Sequence, residues 1–103
     1  MKIMQLSNNE QEILLTYQNW LKENNLSDKC NVYFIEENSI LVFQTWNLQE
    51  MISETIWLKT DNEKWQFYIK NLSEKINKLF LLSEVIEIEK KFVIKTFKKR
   101  YDL

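Results

Sequence analysis

The residues from Asn31 to Trp46 read NVYFIEENSILVFQTW: two apolar runs joined by the polar tetrad Glu36-Glu37-Asn38-Ser39. Val, Ile, Tyr, Phe and Trp are the side chains that pack on a pleated surface, and a polar break between two such runs predicts a β-hairpin. The apolar pattern fixes its register. With Ile35 opposite Ile40, Tyr33 faces Val42, and Val32, Phe34, Leu41 and Phe43 line the other side. Both sides are apolar, as in a strand pair sheltered on two faces. Whatever the rest of the chain does, it must supply cover for this ribbon.

The turns are constrained as strongly as the strands. The chain of 103 residues contains no Gly and no Pro, so reversals fall to Asn, Asp, Ser or longer loops, and tight two-residue hairpin turns are not expected. Together with the absence of Ala and the wealth of Lys, Asn, Ile and Phe, this is the composition of a chain coded by AT-rich DNA. A chain this long suits one domain with one core. Hydrophobic content of 45% and aromatic content of 14% exclude a disordered chain. No apolar run reaches the roughly 20 residues that span a bilayer. The N-terminus lacks the apolar core of a signal peptide, so a cytoplasmic protein is expected.

Ahead of the hairpin, Ser7 with Glu10 three residues on forms a capping-box pattern. Ile13, Leu14, Tyr17, Trp20 and Leu21 then recur at helical spacing, predicting a helix over about 8–24 with Glu10 outside its apolar stripe and Asn24-Asn25 as its stop. After the hairpin, Thr55-Ile56-Trp57-Leu58 favours a third strand over about 52–59, with 47–51 as the connection and a helix as the alternative. Trp65, Tyr68, Ile69, Leu72, Ile76, Leu79 and Phe80 follow a 3.6-residue period, predicting a second helix over about 62–81, capped by Asp61. Glu74 and Lys78 would pair along it. The alternation of Ile86 and Ile88, then Phe92 and Ile94, predicts a closing hairpin around a Glu89-Lys90-Lys91 loop. One continuous helix bearing Val85, Ile88 and Phe92 is the alternative there. The expectation is an α+β domain: an antiparallel or mixed sheet of about five strands with two packed helices, in the order α-β-β-β-α-β-β.

The chemistry is narrowed mainly by what is missing. Without histidine, Ser-His-Asp and Cys-His catalysis are excluded, and one cysteine leaves no ordinary zinc site. Without glycine there is no phosphate-cradling loop. No catalytic, cofactor or metal site is indicated, and no small-molecule substrate. Cys30 reads as a buried apolar residue rather than a reactive thiol. Glu36-Glu37, and Glu84, Glu87 and Glu89, read as solvated carboxylates. Trp20 and Trp65 fit the core.

Two binding surfaces remain. The first is an apolar aromatic sheet face carrying Tyr33, Val42, Trp46 and Trp57, aromatics being common interface anchors. Its partner would be another protein or a second copy, making the chain an inhibitor, an immunity- or antitoxin-type protein, or an adaptor. The second rests on charge: the net is −6 through residue 89 and +5 after it. Lys90, Lys91, Lys95, Lys98, Lys99 and Arg100, interleaved with Phe92, Phe97 and Tyr101, would form a basic strand suited to nucleic acid. Against it, the overall pI of about 5.5 lies below the range usual for nucleic-acid domains.

Overall fold

The computed structural model describes residues 5–61, 63–68 and 78–101, with side chains through Phe97. Helix α1 (Asn8–Glu23) leads into β1 (Cys30–Ile35), a short 3-10 turn (Glu36–Asn38), β2 (Ile40–Asn47), β3 (Glu50–Asp61), β4 (Lys64–Tyr68), β5 (Leu79–Phe80) and α2 (Leu82–Tyr101). The strands form one antiparallel sheet in the order β1-β2-β3-β4-β5. The class is the expected one, α+β with five antiparallel strands and two helices.

The stretch from α1 to β2 follows the sequence closely. The Ser7 hydroxyl accepts from the Glu10 N–H at 3.1 Å, while the Glu10 carboxylate accepts from the Ser7 N–H at 3.1 Å. This is the reciprocal capping box. Asn25 leaves α1 with φ 58°, the left-handed turn that asparagine tolerates in place of glycine. In the hairpin, Ile35 pairs with Ile40, Phe34 with Leu41, Tyr33 with Val42 and Val32 with Phe43, all as the apolar pattern requires. Ser39 closes its turn with φ 54°.

Three expectations need correction. First, β2 and β3 are joined by only Leu48 and Gln49, the tight two-residue connection that a chain without glycine is not expected to make, so β3 begins well before residue 52. Leu48 takes φ 57° to make this turn, and Glu63 takes φ 61° between β3 and β4. Neither is a residue that favours that region, yet pairing of two long strands holds them there.

Second, residues 64–68 are a strand, not the start of a helix, and Leu79-Phe80 are a strand, not its end. The β4 residues alternate: Trp65 and Phe67 turn to the core while Gln66 and Tyr68 turn away. The twelve-residue β3 presents its second edge over Ile56–Asp61, and β4 saturates the backbone groups there. Ile69, Leu72, Glu74 and Ile76 of the expected helix lie outside the described residues. Third, the expected hairpin over 84–97 is helical throughout. The segment carries both periods. A second helix is what the broad inner sheet face needs, since α1 alone shelters only part of it. The order is therefore α-β-β-β-β-β-α.

Both helices pack on the same side of the sheet. Tyr17 and Leu21 from α1 join Leu82, Val85, Ile86, Val93 and Phe97 from α2, over Leu41, Phe43, Trp57 and Trp65. The α2 stripe is thus shifted in phase from the alternative helix, for Ile88 and Phe92 are 41% and 37% exposed. Tyr17 stacks on Trp20 at 5.9 Å and meets Phe43 edge-on at 5.7 Å. Cys30 is buried here, and its thiol is pushed up to about 12 by loss of solvent.

Two buried glutamates fasten the layers. Glu10 of α1 accepts the Trp65 indole N–H at 2.7 Å and forms an ion pair with Lys59 of β3. Glu89 of α2 accepts from the Trp57 indole at 3.0 Å and the Thr55 hydroxyl at 2.5 Å. Glu89 is not the solvated carboxylate expected from the sequence, and Glu10, expected outside the apolar stripe, is buried as well. A buried tryptophan needs an acceptor for its N–H, and each helix donates one carboxylate to the task.

Candidate functional site

The face opposite the helices is covered by no helix among the described residues. Strand pairing lays its side chains in rows. One row runs Tyr33, Val42, Ile56, Tyr68 across β1 to β4; the next runs Ile35, Ile40, Leu58, Gln66, Leu79 across all five strands. A third, Asn31, Gln44, Glu54, is polar, with the Gln44 amide donating to Glu54 at 2.7 Å. The apolar rows therefore end at a polar border. Tyr33, Tyr68 and Leu79 are each more than 40% exposed, as are Met51 and Ile52 at the irregularity where β2 and β3 slip register.

The four residues expected to bind a partner divide between faces. Tyr33 stands on this outer face and is exposed. Trp46 also belongs here, half-buried, and its shielded indole N–H has no hydrogen-bond partner among the described residues. Val42 is on this face but only 2% exposed, so it forms the floor of the patch and offers little surface. Trp57 must be withdrawn. It lies on the inner face, 2% exposed, packed edge-on against Phe67 and Phe80 and tied to Glu89. Periodicity could not place it, because the facing of β3 depends on its pairing with β2. Tyr68 and Leu79 escape the sequence pattern, whose 3.6-residue period places both on a helical stripe. The alternation Trp65-Gln66-Phe67-Tyr68 was the signal available.

The basic segment is a helix, not a strand. Lys91 and Lys95 lie one turn apart and are exposed. Lys90 is folded back, with its ammonium 5.3 Å from the Trp20 ring centre and 3.8 Å from the Glu87 carboxylate. The side chains of Lys98, Lys99 and Arg100 lie outside the described residues.

Burial disfavours the ionisation of Glu89 and raises its pKa, while the Thr55 and Trp57 hydrogen bonds act the other way. At 3% exposure among core side chains, it is placed to hold the fold. Among the described residues no group of three or more Cys, Asp and Glu is arranged for a metal ion. None of the described helices is long and apolar enough to cross a membrane. No family model, curated protein or solved structure matches this chain.

Proposed function

We propose that this chain is a small cytoplasmic protein-binding module without catalytic activity, of the inhibitor, immunity- or antitoxin-type, or adaptor kind. The observation that carries this reading is the pair of apolar rows on the outer face, with Tyr33, Tyr68 and Leu79 open to solvent while both helices occupy the opposite side. An apolar patch rimmed by polar residues favours a protein partner. The lack of histidine and glycine supports binding over catalysis. The test uses affinity capture from the native host with the intact chain and with Tyr68→Asp and Leu79→Asp. Both positions are exposed, so folding should persist by circular dichroism. A specific partner lost in both variants supports the reading; equal recovery by all three proteins refutes it.

A second reading, nucleic-acid binding, draws support from the exposed pair Lys91 and Lys95 on α2. Reversing both to Glu should lower affinity for a labelled oligonucleotide and flatten its salt dependence. An unchanged salt slope removes this reading.

A further inference from the structure

The sheet has two edges, and they are built differently. The β5 edge is only two residues long, which is one of the ways proteins blunt an edge. The β1 edge runs for six residues, Cys30 to Ile35, with no charge, no proline and no bulge in its register with β2. The backbone bonding shows which groups it offers. Trp46 N–H donates to Lys29 C=O at 2.7 Å, so Asn31, Tyr33 and Ile35 bond towards β2 and the alternate residues turn away. Cys30 N–H is already capped by Leu26 C=O at 3.0 Å. Val32 and Phe34 direct their N–H and C=O groups outward, and no described residue pairs with them. Beside them, a groove of about 290 Å³ lined by Leu21, Lys22, Cys30 and Val32 leaves the inner side of this edge open as well.

We propose that β1 pairs antiparallel with β1 of a second copy, joining the two sheets edge to edge. Two registers align the outward groups. Centred on Val32, the pairing sets Phe34 against Cys30, whose N–H is already taken by Leu26, so the Phe34 C=O goes without a donor. Centred on Tyr33, it sets Val32 against Phe34, which satisfies the outward N–H and C=O of both, and Tyr33 against its own symmetry mate. The hydrogen bonds select the second register. The dimer keeps all four helices on one side and joins the two outer faces into a single apolar platform. It differs from the partner reading above in using the backbone edge of β1, although Tyr33 belongs to both; the contrast between Tyr33→Cys and Asn31→Cys below separates them.

The register makes the idea sharply testable. Tyr33 and its mate form a non-hydrogen-bonded pair with Cα atoms about 4.5 Å apart, within the roughly 4.4–6.8 Å that a disulfide spans. Two copies of Asn31 would lie four residues apart along the strand, about 13 Å. Tyr33→Cys and Asn31→Cys are made in the intact chain, where the native Cys30 is buried. Under mild oxidation, Tyr33→Cys should form a covalent dimer at least tenfold faster than Asn31→Cys. Light scattering on the unmodified protein should show its mass rising from 12.7 kDa to twice that value with concentration, and Tyr33→Glu should hold it at one chain. Two results overturn the proposal. One is a mass fixed at one chain at every concentration, as when another segment of the same chain covers β1. The other is equal cross-linking of the two cysteine variants, as when copies meet face to face.

Discussion

The two helices are fastened to the sheet by the same device with different electrostatics. On the α1 side, Glu10 takes the Trp65 indole and also meets Lys59, whose side chain is 6% exposed. On the α2 side, Glu89 takes the Trp57 indole and, among the described residues, hydrogen-bonds only neutral donors, Thr55 and Trp57 itself. A buried carboxylate with a buried ammonium is a closed electrostatic unit. A buried carboxylate with hydroxyl and indole donors is hydrogen-bonded but still carries charge out of water. The first anchor is therefore sensitive to loss of either partner, and the second to proton concentration.

The largest expected effect is at the ion-paired anchor. Glu10→Ala strands Lys59 as a buried charge and leaves the Trp65 N–H without its acceptor, a loss of about 3–5 kcal/mol. The urea midpoint measures it; a loss below about 1 kcal/mol would show that Lys59 reaches water and that the two anchors are alike. Next, Thr55→Val removes a hydrogen bond that favours the ionised form of Glu89, and stability should fall more above the raised pKa of Glu89 than below it. The loss should shrink in acid, where Glu89 is protonated. The smallest effect has the opposite sign. Glu89→Gln keeps an acceptor for Trp57 but cannot ionise, so at neutral pH it should be more stable than the parent chain.

The direction follows from linkage. Burial raises the pKa of Glu89 in the folded chain, so the native state binds more proton than the unfolded state between the ordinary glutamate value and the raised one. Glu89 therefore lowers stability as pH rises through that window. The difference between parent and Glu89→Gln should grow across it and level off above. A flat difference from acid to neutral pH would mean that Glu89 meets solvent in the folded state.

What the sequence disclosed depended on how local the deciding contacts were. The capping box at Ser7 and Glu10, the Asn25 stop and the Ile35–Ile40 register rest on neighbours in the chain or on a pattern a few residues long, and they were legible. The facing of Trp57 and the burial of Glu10 and Glu89 were not. They follow from contacts across 32 to 55 residues, and a lone glutamate looks the same whether its carboxylate meets water or an indole. The segments 64–68 and 84–97 carried two periods each. Tertiary need decided between them: an open β3 edge claimed the first as strand, and an uncovered sheet face claimed the second as helix. The outer-face site was half legible for the same reason. Tyr33 and Trp46 came from the well-determined hairpin, whereas Tyr68 and Leu79 required the true order of elements.

The corners at Leu48 and Glu63 have an effect that reaches beyond the folded state. A non-glycine residue held left-handed costs about 1–2 kcal/mol, so each corner is a sprung joint. The same lack of glycine stiffens the disordered chain, which has fewer shapes to surrender; at a single site this is worth about 0.4–1 kcal/mol. Slackening Leu48 to glycine would relax the joint and loosen the random coil together, and the second change offsets only about half of the first.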